Sequence, residues 1–241
     1  MSKYVVQAGW DHAPHLSERA KAELLASIPP YQREARTKGI PTLGSGAIYP
    51  VAESDFVITP VELAPHWRRG FGLDVGFNRT ACIWGAHDRD TDTLYLYSEH
   101  YGGRMDAAEN ARHIRAKGDW IPGVIDPAAR GRSQTDGQQL LQNYVDQGLD
   151  LTTADNSVEA GIDRVWMRLV SGRLKVFSSL TNWLNEFRKY RRDENGRVVK
   201  ADDHAMDATR YLEVSGLDRM VSPLRRQTPI IQNRGGRVFA G

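Results

Sequence analysis

Between Gly70 and Tyr101 three apolar runs follow one another with only tight connections: GFGLDVGF (70–77), TACIWGAH (80–87) and TLYLYSEHY (93–101). Each is rich in β-branched and aromatic residues, and the turn DRDTD separates the second from the third, which predicts three strands in an antiparallel meander. Inside the first run stands an acid, Asp74. An unpaired carboxylate in an apolar strand costs several kcal/mol in practice, so it needs a partner or a cation.

After the meander the pattern alternates. A helix is expected from Asp106 to Lys117, with Ala107, Ala111 and Ile114 on one face. The strand WIPGVID ends in a second acid, Asp126. The loop PAARGRSQTDG leads to a helix carrying Leu140, Leu141, Tyr144 and Val145, then to the strand LDLTTA. A helix over Val158–Val170, the short strand RLKVFS and the helix TNWLNEFRKY come next, with Trp166 and Trp183 at core-facing positions. Asn195-Gly196 marks a hairpin in RRDENGRVVK, and a last helix runs from Asp203 to Ser215 with Ala208, Tyr211 and Leu212 inward. Strands four and five return through helical crossovers and so lie parallel to strand one. This order predicts an α/β fold: a ribonuclease H-like mixed sheet, an antiparallel three-strand meander plus parallel strands, flanked by helices.

Residues 1–69 read as a lead-in segment that packs on the sheet-bearing domain, residues 70–217. Ser17 is suited to cap a helix over Glu18–Ser27, and VAESDFVITP and VELAP read as short extended pieces. The formal net charge is +2, but five arginines from Asp218 onward (Arg219, Arg225, Arg226, Arg234, Arg237) against one aspartate give 218–241 a charge of +4 and leave −2 for the rest. That excludes a body coated in basic residues and predicts a flexible basic tail. The single cysteine, Cys82, excludes a disulfide within the chain and fits a small core side chain. No apolar stretch reaches ~18 residues and no signal-peptide core opens the chain, so a soluble intracellular protein is expected.

In an open α/β sheet the functional crevice lies outside the carboxyl ends of the parallel strands, which puts Asp74 and Asp126 at one edge if their strands are neighbours. In DDHAMDATRY, His204 and Asp207 stand three residues apart on one helical face, and Asp203 and Asp207 four apart. Two carboxylates ~4 Å apart repel by roughly 4 kcal/mol at an effective dielectric near 20, so such a cluster must hold protons or a cation. Oxygen donors favour Mg²⁺ or Mn²⁺, and an imidazole tilts the choice toward Mn²⁺. Two ions ~3.5–4 Å apart would activate water and stabilise the leaving oxygen of a phosphodiester.

GLDVGFNRTA (72–81), GVIDPAARGRSQTDGQQLL (123–141) and ADDHAMDATRYL (201–212), in this order, resemble the nuclease domain of the large terminase subunit of tailed bacteriophages. The lead-in from Trp10 to Val51 is similar to the segment joining that family's packaging ATPase to its nuclease. The resemblance implies a metal-dependent endonuclease cutting concatemeric double-stranded viral DNA during packaging. Asp74, Asp126 and Asp207 would be the catalytic, metal-binding acids, with His204 and Asp203 as further metal-site residues, and Mg²⁺ or Mn²⁺, two ions, as cofactor. It further implies a packaging ATPase domain, a small terminase subunit and a portal as partners, in the host cytoplasm and transiently at the procapsid portal. No G-x-x-x-x-G-K-[ST] phosphate loop occurs, GSGAIYP lacking the lysine, so the nuclease half of a longer chain is expected.

Arg188, Lys189, Arg191, Arg192 and Arg197 surround the expected hairpin beside the acidic helix, and Arg130 and Arg132 come soon after Asp126. All seven are candidate contacts to the DNA backbone. His12 and His15 do not make a metal pair, because Pro14 breaks the helix that spacing needs. Three rival readings remain. Another ribonuclease H-like enzyme (transposase, integrase or resolvase) also uses strand-end acids. A non-catalytic DNA clamp would not need them. An actin-like ATPase shares the D-x-G of GLDVG but requires a second phosphate loop that this chain lacks.

Overall fold

The structure, a computed structural model, describes residues 9–10, 16–27, 37, 46–76, 78–127 and 136–223. Its centre is a seven-stranded mixed sheet in the order β1-β7-β4-β3-β2-β5-β6. Strands β2 (Arg68–Val75), β3 (Thr80–Asp88) and β4 (Thr93–Gly102) form the antiparallel meander, with a bulge between Trp84 and Gly85. β5 (Gly123–Ile125) lies parallel to β2 with Leu73 opposite Ile125, and β6 (Leu151–Thr153) lies parallel to β5. On the other side β7 (Leu174–Phe177) is parallel to β4, and β1 (Val57–Ile58) is parallel to β7. This is the ribonuclease H-like α/β arrangement that the order of elements predicts.

Helices cover both faces. In chain order they are α1 (Glu18–Ser27), α2 (Glu53–Phe56), α3 (Ala107–Arg115), α4 (Asp136–Asp146), α5 (Val158–Val170), α6 (Thr181–Lys189) and α7 (His204–Tyr211). Ser17 Oγ accepts the Ala20 N–H at 3.2 Å and starts α1, and Asp106 caps α3 through the Glu109 N–H at 2.7 Å. α5 buries Ile162, Val165, Trp166 and Leu169, the spacing of one helical stripe. Phe71, Leu73, Trp84, Ile125 and Tyr144 pack on one face of the sheet with α3, and Ile83, Leu94, Val176, Trp183 and Phe187 fill the core on the other. Cys82 is fully buried.

One contact fixes the functional edge. Successive strand residues face opposite ways, so Gly72 shares a face with Asp74. A Cβ on Gly72 would lie 2.0 Å from the Ala208 carbonyl oxygen, so only glycine lets α7 settle onto β2. The same approach brings the first turn of α7 against Asp74.

Four local expectations change. VAESDF is not extended: Glu53–Phe56 make one helical turn before β1, which drops Phe56 fully into the core. The hairpin over 191–200 reduces to a single bridge, Arg192 to Val198, around Gly196 at φ +77°. Val145 faces outward, 38% exposed, while Tyr144 carries the burial of α4. The last helix keeps α-geometry only to Tyr211 and continues as a π-turn over Leu212–Gly216. At the start of the basic tail, Val221 pairs with Arg69 and Met220 is buried; residues 224–241 lie outside the described residues.

Candidate metal centre

Asp74, one residue before the end of β2, is 8% exposed, and the Asp126 N–H donates to the Leu73 carbonyl at 2.9 Å as β5 ends beside it. α7 lies across this edge. His204 Nδ1 meets Asp74 Oδ2 at 2.8 Å, and buried Asp207 stands one turn further on. Burial pushes the Asp74 carboxyl up to about 6; the hydrogen bond from His204 opposes this, and the charges of Asp207 and Asp126 add to it. The same hydrogen bond raises the His204 pKa, with burial opposing. Asp74 therefore feels the charges of two acids far from it in sequence.

Other side chains orient them. Arg210, itself 1% exposed, donates Nη2 to Asp207 Oδ1 at 2.9 Å. Lys200 places its ammonium 2.8 Å from Asp207 Oδ2 and 3.1 Å from Asp203 Oδ2. The second contact lacks hydrogen-bond geometry, so Asp203 Oδ2 is buried with only an ion pair for company. The Tyr211 hydroxyl donates to Asp126 Oδ1 at 3.1 Å. The start of α7 is held by Glu186, whose Oε2 accepts the Ala205 N–H at 2.5 Å and whose Oε1 accepts the Tyr101 hydroxyl. Asp203 occupies the N-cap position of α7 without a side-chain capping bond, leaving its carboxylate for Lys200.

Among the described residues no set of three or more His, Cys, Asp or Glu side chains stands in ligating geometry. Lys200 and Arg210 take the two oxygens of Asp207, and His204 meets Asp74. The donor chemistry nevertheless fits a hard divalent cation. Asp74, Asp126, Asp203 and Asp207 offer the carboxylate oxygens that such an ion takes as ligands, and among the described residues Lys200 and Arg210 are the permanent cations paired with Asp203 and Asp207.

The basic candidates divide. Arg188 makes a two-pronged bond to Glu53 at 2.6 and 2.7 Å, Lys189 pairs with Asp202 at 3.0 Å, and Arg192 grips Glu159 at 2.6 and 3.0 Å. Arg191 and Arg197 are exposed. Arg130, Arg132, His12 and His15 lie outside the described residues. Sequence reasoning missed Lys200, Arg210, Tyr211 and Glu186. Lys200 and Arg210 left a signal, since both lie at helical spacing from Asp203 or Asp207; Tyr211 and Glu186 left none.

The chain matches the family model described as the terminase RNase H-like domain over residues 72–215, and it belongs to that family: it is the ribonuclease H-like nuclease domain of a phage large terminase subunit. It is 33% identical over 220 residues to the large terminase subunit of Salmonella phage P22, covering 87% of this chain and 44% of that protein. The structure of the P22 large terminase nuclease domain superposes with a TM-score of 0.69 at 30% identity, over 75% of this chain and 97% of that one. The large terminase nuclease domain of bacteriophage SPP1, solved with bound Mn, shares the fold at 20% identity and a TM-score of 0.52, covering 70% and 99%. The chain spans about half the length of the curated relatives it matches. No helix among the described residues is long and apolar enough to cross a membrane.

Proposed function

We propose that this domain is a divalent-metal-dependent endonuclease that hydrolyses phosphodiester bonds in double-stranded viral DNA concatemers during genome packaging. What supports the reading is buried Asp74 at the carboxyl end of β2, its carboxyl pushed up to about 6 by burial and further by the charges of Asp207 and Asp126. The Mn bound in the SPP1 domain adds support for a divalent ion.

Asp74, Asp126 and Asp207 would hold Mg²⁺ or Mn²⁺, with His204 and Asp203 as further donors. A bound divalent ion supplies charge neutralisation on the phosphodiester and an activated nucleophile at neutral pH, and a pair of ions serves both sides of the displacement. The chain's own groups prepare the site. Arg210 is fully enclosed and keeps Asp207 oriented. Lys200, on a half-exposed flexible stem, is the contact that must turn aside for Asp207 and Asp203 to ligate. His204 keeps Nε2 available while Nδ1 faces Asp74. Exposed Arg191 and Arg197 remain candidate backbone contacts, as do Arg130 and Arg132. A packaging ATPase domain, a small terminase subunit and a portal are the partners this reading assigns.

The test is a supercoiled plasmid incubated with Mn²⁺, Mg²⁺ or chelator. Nicking and linearisation that require the metal support the reading; binding without cutting under all three conditions would leave a DNA clamp.

A further inference from the structure

Duplex DNA approaching four carboxylates meets repulsion, so the edge must carry cations not already held by the protein's own acids. Two arginines absent from the basic stretch of the sequence meet that need. Arg79 lies in the β2–β3 turn, where its carbonyl accepts the Gly76 N–H at 2.9 Å; a Cβ on Gly76 would sit 3.5 Å from His204 Cε1, so this turn borders the acids. Arg104 lies just past β4 on the neighbouring connection. Thr80 is opposite Gly102 in the ladder, and a Cβ on Gly103 would lie 3.6 Å from Arg79 Nη1, so the two segments run side by side.

Both side chains are exposed, and among the described residues neither makes an ion pair. The nearby acids are engaged elsewhere: Asp106 caps α3 at 2.7 Å and Asp202 pairs with Lys189 at 3.0 Å. The Arg79 guanidinium stacks 4.7 Å from the Tyr101 ring centroid. Tyr101 is itself anchored through its hydroxyl to Glu186, which holds the first turn of α7. A planar guanidinium resting on an aromatic face keeps its N–H edge available for bidentate contact with phosphate. Arg104 stands at φ +57°, a left-handed conformation unusual outside glycine, held at an exposed position where a glycine would fit without strain.

We propose that Arg79 and Arg104 form a phosphate clamp beside the acid cluster that grips the backbone of duplex DNA and sets it against the metal-binding edge. The clamp rests on the nuclease reading, and the experiment separates the two. Binding of the full chain to a short fluorescein-labelled duplex is followed by anisotropy across a salt series, with Ca²⁺ replacing Mg²⁺. Each lost phosphate contact on duplex DNA flattens the plot of log affinity against log salt by about 0.9, so Arg79→Ala and Arg104→Ala each lower the slope by that amount and the double variant by about 1.8. Arg89→Ala, an exposed arginine in the β3–β4 turn at the opposite end of the same strands, leaves the slope unchanged. Circular dichroism checks that the variants are folded. A double variant with the native slope, or with the slope of Arg89→Ala, overturns the clamp while leaving the nuclease reading standing. Failure of the native protein to bind duplex at all overturns both.

Discussion

The two ends of the sheet each gather carboxylates, and they treat them in opposite ways. At the β3–β4 turn, Asp92 and Glu213 meet Arg168 and Arg173. Arg168 Nε reaches both oxygens of Glu213 at 2.7 Å and its Nη2 reaches Asp92 at 3.2 Å, while Arg173 takes the other Asp92 oxygen at 2.7 Å. His87 adds a third contact to Asp92 at 2.9 Å. Charges balance there without outside help. At the other end, among the described residues, Asp74, Asp203 and Asp207 have Lys200 and Arg210 as their permanent cations, and one of these is on a flexible, half-exposed stem. A balanced cluster ties elements together; an unbalanced one is a standing demand for a ligand, maintained against folding by the packing of α7 on Gly72.

Substitution at Asp74 separates the two roles most sharply. Asp74→Asn is expected to reduce Mn²⁺-dependent plasmid nicking to the level of chelator-treated protein. The same change should stabilise the metal-free fold. A carboxyl pushed up to about 6 by burial works against folding near neutral pH by roughly 2–3 kcal/mol once ionised, and the amide carries no such charge. Urea titration with chelator would register the gain. A variant that is both inactive and less stable would mean that Asp74 is a structural acid like Asp92.

Arg168→Met makes the balanced end resemble the unbalanced one. It strands Glu213, 6% exposed, without its partner, and breaking a buried pair from one side costs about 3–5 kcal/mol. The expected result is a large fall in the urea midpoint, with metal-dependent cutting retained by the protein that remains folded. Lys200→Met asks the converse question. It removes a competitor for Asp207 and Asp203, so Mn²⁺ affinity measured by calorimetry should rise by about tenfold, equivalent to about 1.4 kcal/mol. Weaker Mn²⁺ binding would assign Lys200 to the functioning site rather than to its metal-free form.

The legible part of the molecule was the part whose physics is local. The apolar runs of β2 to β4 announce a meander, the stripe on α5 matches its span to the residue, and the acids at strand ends follow from alternation. β1 falls within VAESDFVITP, which reads as extended; only the helical turn before it escaped, because it is fixed by Phe56 entering a core built largely from later residues. The π-turn after Tyr211 has no sequence signature. Charge was legible only as an inventory. RRDENGR reads as a positive hairpin, yet which cations are available depends on Glu53 and Glu159, over a hundred and over thirty residues away respectively. Arg79 and Arg104, scattered in two turns, register as nothing until the sheet sets them side by side.

The Arg188–Glu53 pair gives the smallest effect and tests that last point. Its geometry is two-pronged and short, at 2.6 and 2.7 Å, but the arginine side chain is 52% exposed and its partner 35%. Exposed pairs are screened by water and salt and must order two long side chains, so their net worth is about 0.2–1 kcal/mol whatever their length. Arg188→Ala should therefore move the urea midpoint only slightly, with the difference shrinking in high salt. A side chain that prefers Glu53 should also contribute little to DNA, so its effect on the salt slope of duplex binding should fall well short of the full phosphate contact expected at Arg79. A loss of about 0.9 in that slope on Arg188→Ala would mean that DNA takes the guanidinium away from Glu53, and that the pairs around the hairpin are opened by the substrate rather than fixed by the fold.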